Sequence, residues 1–197
     1  MNSIENQIER TVNSKKRGVL WFPDDFAAYG TSEAVRKSLQ RLEDKNILVR
    51  VAQGIYVRPK ISAHVGQVLP SAEEVASAIA KRDRARTIPT GTYALNALGL
   101  STQVPMRIVL LTDGSPRQVR VGKRTILFKK TTPKNLMAKG KISGLAIQAL
   151  KEIGNGRVSG EDELKIIKLL KKENPEDLAH DVRLAPVWIK QIMKKAL

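Results

Sequence analysis

A chain of 197 residues without a cysteine can hold no disulfide framework, no cysteine-ligated zinc finger and no thiol nucleophile. Its 35 Lys and Arg against 19 Asp and Glu leave a formal charge of +16, which calls for a polyanionic partner, nucleic acid before any other. No run of roughly 18 apolar residues exists to span a bilayer, and Met1-Asn-Ser-Ile lacks the basic start and apolar stretch of a secretory signal. No membrane role is therefore expected, and the cytoplasm is the expected compartment.

Ile4, Ile8 and Val12 recur at helical spacing and predict an amphipathic helix over 3–13. Val19–Phe22 fits a short strand. Pro23 suits the first position of a brief helix, Asp24 and Asp25 favour its positive end, and Gly30 is expected to turn the chain sharply. Thr31 or Ser32 then caps a third helix running to about Lys45.

That third helix carries the functional argument. Val35, Leu39 and Leu42 must face inward, so a rotation of about 100° per residue turns Glu33, Lys37, Gln40 and Arg41 outward, with Arg36 on the flank. A helix with a buried aliphatic stripe and an Arg, Lys and Gln face has the chemistry of a major-groove reader. The plain alternative is a solvated amphipathic helix. Thr31, Ser32, Glu33, Arg36, Lys37 and Gln40 are the candidates for base edges or nearby phosphates. Asn46 can end the helix in the left-handed conformation. Residues 48–58 then read as two short strands meeting at Gln53-Gly54, with Arg41, Arg50, Gln53, Tyr56 and Arg58 as a clamp on the phosphate backbone. The basic triplet Lys15, Lys16 and Arg17 is either a solvated corner or a phosphate contact.

The resulting organisation is α+β: a winged helix-turn-helix head (1–60), a linker (61–70), and a basic mixed body (71–197) ending in a helical tail from about 144. In the body, Ser71-Ala-Glu-Glu74 is a capping box, a short helix covers Thr92 to Leu98, and Met106–Thr112 is a strand. Arg117–Val121 pairs with Arg124–Lys130 across Gly122-Lys123. Tail helices are expected over 144–153, over 160–173 behind Ser159, after Pro175, and over 186–195. Leu164, Ile166, Ile167, Leu169 and Leu170 cover much of one circumference, which predicts burial on two sides.

Charge is densest in the middle, where residues 61–140 carry 13 basic and 4 acidic side chains. Arg117, Arg120, Lys123 and Arg124 are therefore expected to form a second phosphate-contacting face, against the plain reading of an ordinary wet sheet face. Nothing points to a catalytic, metal or cofactor site. His64 and His180 lack ligand-spaced partners, Gly154–Gly160 has the wrong glycine spacing for a dinucleotide loop, and Tyr93 with Asn96 fits core and cap duty. The chain thus reads as a non-enzyme. A nuclease, the rival, needs paired carboxylates in the body, where Asp113 is the only acid between Asp83 and Glu152.

Several stretches carry a family likeness. Ser32–Leu42 with Gly54-Ile-Tyr-Val-Arg-Pro59, then Pro89–Leu100, Gln103-Val-Pro105 and Leu111-Thr-Asp-Gly114, resemble the AbiEi-like antitoxins of type IV toxin–antitoxin systems, in their DUF6088-like branch. The likeness covers roughly residues 1–155, and Leu184–Ile189 also resembles the family's ending. It implies a transcriptional regulator that binds inverted repeats in its own double-stranded promoter DNA, with two copies on the operator as monomers or a weak dimer. It also implies an antitoxin role toward a nucleotidyltransferase-like toxin encoded next door. Direct binding of the toxin and neutralisation without contact are both open on the sequence.

Overall fold

The computed structural model describes residues 3–197, a mixed α+β chain of several helices and three small sheets. It divides into two compact units, residues 1–79 with 119–123, and residues 80–118 with 124–197. No helix among the described residues is long and apolar enough to cross a membrane.

In the first unit, α1 (Ile4–Ser14) starts where Ser3 accepts a hydrogen bond from the Asn6 N–H, and it buries Ile8 and Val12. Strand β1 (Leu20–Trp21) leads into a 3₁₀ turn, Pro23–Tyr29, whose start is held by Asp25 accepting from the Phe22 N–H at 2.7 Å. The chain bends at Gly30 with the residue itself extended, and a Cβ there would stand 2.5 Å from Ile4 Cδ1, the end of a side chain of α1.

Helix α2 (Ser32–Asp44) follows, with Thr31 as its cap, the hydroxyl accepting from the Ala34 N–H at 3.3 Å. Thr31→Ala is expected to cost about 1 kcal/mol of stability in urea unfolding, and a loss under a few tenths would show that tertiary packing alone sets this helix start. Val35, Leu39 and Leu42 are buried with Ile8, Val12, Trp21, Phe26, Leu48 and Tyr56 in one core. Trp21 stacks on Phe26 with ring centroids 5.3 Å apart, which fixes the 3₁₀ turn against β1. Asn46 closes α2 at φ 57°, and the N–H groups of Ile47 and Leu48 return to the Leu42 carbonyl.

Strands β2 (Val49–Ala52) and β3 (Ile55–Val57) form an antiparallel hairpin around Gly54 at φ 68°, and β1 adds to the far side of β3. The register shifts between Arg50 and Ala52, an irregularity of the kind that strengthens local twist. The stretch expected as a linker contains a second small hairpin, β4 (Lys60–Ser62) with β5 (Gly66–Val68). Its side chains are mostly exposed, so it leaves no buried alternation for sequence reading to detect. Helix α3 (Ala72–Arg82) opens on the expected capping box, Ser71 and Glu74 bonding each other's backbone N–H.

A four-stranded sheet has the order β6-β7-β9-β8, with β6, β7 and β9 in the second unit. Strand β7 (Arg107–Thr112) runs parallel to β9 (Arg124–Lys130), β8 (Arg117–Val121) lies beyond β9, and β6 (Thr87–Thr90) pairs antiparallel with β7. Sequence reading misses β6, which is four residues long and holds Pro89; proline is tolerated there because β6 is the sheet's edge. Helix α4 (Thr92–Ala97) and helix α5 (Lys141–Ile153) pack beside β6.

The tail helices α6 (Gly160–Leu170), α7 (Pro175–Leu184) and α8 (Val187–Lys194) close a second core with α5, built on Leu150, Ile166, Leu170, Leu178, Val182, Ile189 and Met193. Leu164 is 70% exposed while Ile166 and Leu170 are buried, so α6 is covered on one side and not on two. Its apolar width overstates its burial because Leu164 sits among the charged residues Glu161, Glu163, Lys165 and Lys168 on the wet side.

Candidate nucleic-acid interface

The aliphatic stripe of α2 fixes the helix's rotation, and that rotation decides which side chains face solvent. Thr31, Ser32, Glu33, Arg36, Lys37, Gln40 and Arg41 are all exposed. Between the outer face of α2 and the β2–β3 hairpin lies a groove of about 660 Å³, lined among others by Glu33, Arg36, Lys37, Gln40, Arg50, Gln53 and Tyr56. Seven of the residues singled out in the sequence thus share one concave surface within one compact unit. It is rich in forked donors and a carboxamide, the groups that make paired hydrogen bonds to base edges.

Charge in the groove is mixed. Glu33 pairs with Lys37 at 2.8 Å across one helical turn, and Glu43 and Asp44 also line the groove. Sequence reading passed over these two acids, although Glu43 lies one heptad beyond Arg36 and so falls on the same helix face. Their carboxylates offset part of the positive charge that Arg36, Lys37 and Arg50 bring to the groove.

Tyr56 has a double position. Its ring is buried in the core, paired across the sheet with Trp21 and Arg50, and one edge lines the groove. Burial pushes its phenol above the usual range, so at neutral pH the hydroxyl is a neutral hydrogen-bonding group. The expected exposed phosphate clamp at Tyr56 is corrected to a core ring with an accessible edge.

The basic residues around the groove fall into two sets. Lys15 and Lys16 are exposed and enter no ion pair among the described residues. Arg17 instead donates to the Pro59 carbonyl at 3.0 Å, and Arg58 donates to the Asn13 carbonyl at 3.2 Å. These two bonds join the residues after β3 to α1 and the loop that follows it; the sequence left Arg17 as a solvated corner or a phosphate contact and placed Arg58 in the phosphate clamp. Arg41 shares Glu5 with Lys45, at 3.7 and 2.5 Å, and Lys45 holds the Glu5 carboxyl below its usual range.

The four cations of the expected second basic face are divided between the two units, Arg120 and Lys123 in the first, Arg117 and Arg124 in the second. A strand's period of two puts Arg117 and Arg120 on opposite sides of β8. Arg117 lies over the Phe128 ring, its guanidinium carbon 5.8 Å from the centroid, and forms an ion pair with Asp83. Burial lowers its guanidinium's proton affinity, and its Nε finds no partner. Arg124 donates to the Pro105 carbonyl at 3.2 and 3.3 Å. Arg120 and Lys123 are the two of the four that stay exposed, and Arg120 bends back to the Gly122 carbonyl.

Sequence reading also missed an interior polar centre in the second unit. Asp181 is fully buried and accepts from the N–H groups of Lys139 and Gly140, from Ser143 Oγ, and from the His180 ring. Glu173 accepts from the N–H groups of Ile142 and Ser143. Together they satisfy the start of α5, where Gly140 offers no capping side chain. Burial pushes the Asp181 carboxyl up, but the bonds from Ser143, His180 and the two backbone amides outweigh it and hold it below the usual range. Among the described residues no group of three or more His, Asp or Glu side chains is arranged to hold a metal ion.

Comparison with known proteins gives a family match and a weak structural likeness. A family model described as "Family of unknown function (DUF6088)" matches residues 7–178. The crystal structure of the RV2827C protein from Mycobacterium tuberculosis aligns over 99% of this chain and 80% of that one, at 12% identity and a TM-score of 0.44. No curated protein matches the sequence.

Proposed function

The chain belongs to the DUF6088 family, and we propose that it is a sequence-specific DNA-binding transcriptional regulator whose head is a winged helix-turn-helix. The observation that carries this reading is the groove between α2 and the β2–β3 hairpin, where Arg36, Gln40 and Arg50 face solvent above a fully buried Val35, Leu39 and Leu42 stripe. In this reading α2 enters the major groove, the hairpin is the wing, and Lys15 and Lys16 meet the flanking phosphates. Arg36 suits a guanine edge and Gln40 an adenine edge. The partner is double-stranded DNA carrying inverted repeats in the protein's own promoter, bound by two copies.

The likeness to AbiEi-like antitoxins extends the proposal: the regulator is also the antitoxin of a type IV operon and opposes a nucleotidyltransferase-like toxin. Two experiments separate the roles. A reporter driven by the protein's own promoter should be repressed by the wild type and derepressed by Gln40→Ala; unaltered repression by the variant would remove α2 from the mechanism. Co-expression with the neighbouring toxin gene should restore growth, and continued growth arrest would remove the antitoxin role while leaving the regulator intact.

Lys15→Ala/Lys16→Ala should make binding less salt-dependent, lowering the slope of log K against log salt by about 1–2 while leaving site preference unchanged. An unchanged slope would return these lysines to solvent. Arg58→Ala, by contrast, should act mainly on stability, since its guanidinium is engaged on the Asn13 carbonyl.

A further inference from the structure

The second unit contains a pocket that the DNA-binding reading does not use. It has a volume of about 440 Å³ and lies between β6 and the segment leading into α5. Ile88, Pro89, Leu136 and Leu145 give it an apolar wall, while Arg86, Lys139 and Lys141 supply cations and no carboxylate lines it. Lys139 and Lys141 form no side-chain ion pair among the described residues. The nearby amides of α5 are already taken by Asp181 and Glu173, so a bound anion would meet lysine side chains and not the helix start.

A second observation comes from the adjoining recess. It shares Ile88, Ala138 and Gly144 with the pocket and is closed by Gln148 and Lys151. Gln148, 4% exposed, brings a carboxamide to the lining of this recess. The recess stays narrow because α5 presses on β6 at Gly144, where a Cβ would come within 3.1 Å of Ile88 Cδ1. Size, apolar walls and a few placed polar groups match the general make-up of small-molecule sites.

We infer that this pocket binds a small organic acid with a flat, largely apolar ring, its acidic group held by Lys139 and Lys141 and a polar ring atom directed toward Gln148. Arg86 is a weaker candidate for the acid because it is already paired with Asp113 at 2.8 Å.

The test uses the full chain and anilinonaphthalene sulfonate, an apolar aromatic anion, as probe. Fluorescence titration should saturate at one site, and the methyl signals of Ile88, Leu136, Ala138 and Leu145 should be the ones that shift in carbon–proton NMR spectra. Lys139→Gln/Lys141→Gln should weaken binding at least tenfold while preserving the circular dichroism spectrum, since both side chains are exposed and form no ion pair among the described residues. Gln148→Leu should weaken it severalfold. Shifts centred on the exposed Val104, Met106 or Leu164, full affinity in the doubly substituted protein, or no saturable binding would each overturn the inference.

Discussion

Arg36→Ala/Gln40→Ala is expected to lose about 2–6 kcal/mol of preference for the protein's own operator, since each paired contact to a base contributes roughly 1–3 kcal/mol. The two side chains stand one helical turn apart on the exposed face of α2 and line the same groove, so they would reach neighbouring base pairs. Their proximity makes the combined loss non-additive, and the two single variants are needed to apportion it. Fluorescence anisotropy on the operator and on a shuffled duplex reads the effect. Affinity for the operator should fall toward that for the shuffled duplex, which should itself change little. Equal weakening on both would reassign the pair to phosphates. The fold should be unaffected, because both side chains are exposed.

Asp181→Ala should destabilise the second unit by about 3 kcal/mol, because it strips acceptors from buried donors at Gly140 and Ser143 and exposes the start of α5. Urea unfolding followed by circular dichroism reads the loss, and a change under 1 kcal/mol would mean that water or Glu173 takes over the cap. The pH dependence has a definite sign. The native Asp181 carboxyl lies below its ordinary range, so the native state holds fewer protons there than the unfolded chain. Its contribution is complete above the unfolded carboxylate value of about 3.9 and fades as pH falls through the lower native value. Wild type should therefore lose stability below about pH 4 through this group, and Asp181→Ala should lack that component. DNA binding by the variant at neutral pH should persist as long as the first unit stays folded.

Both predictions trace to interactions of very different legibility in the sequence. The head was readable because its signals are local. The apolar stripe repeats at helical period, Thr31 and Asn46 mark the two ends of α2, and Gly54 marks the hairpin turn. The groove followed from the rotation of α2 alone, and the acids that share it lie on the same helical wheel but were outweighed by attention to positive charge. The Asp181 centre was not readable, since its bonds join residues about 40 positions apart and no short pattern announces them.

The arginines teach a different lesson. Arg17, Arg58, Arg117 and Arg124 were read from charge as surface contacts, yet each guanidinium is spent on a carbonyl, a carboxylate or an aromatic ring within the protein. Arginine's long stem and five donors make it as useful inside a fold as on a phosphate. For Arg117 the period of the strand already held the answer, because it shares a strand with Arg120 at odd separation and so cannot share its face. Lys15 and Lys16 are exposed and have no such partner among the described residues. Strand β6 and the β4–β5 hairpin escaped for the opposite reason, being too short or too exposed to leave a hydrophobic pattern.

The decisive measurement is an anisotropy titration of the purified chain against its own promoter duplex and a shuffled control at about 150 mM salt, where the Debye length is about 8 Å and surface attraction is screened. Preferential binding to the promoter by at least tenfold, abolished when Gln40 and Arg36 are replaced, is the predicted result. Equal affinity for both duplexes, or no binding to either, would contradict the assignment of α2 and its hairpin to DNA reading.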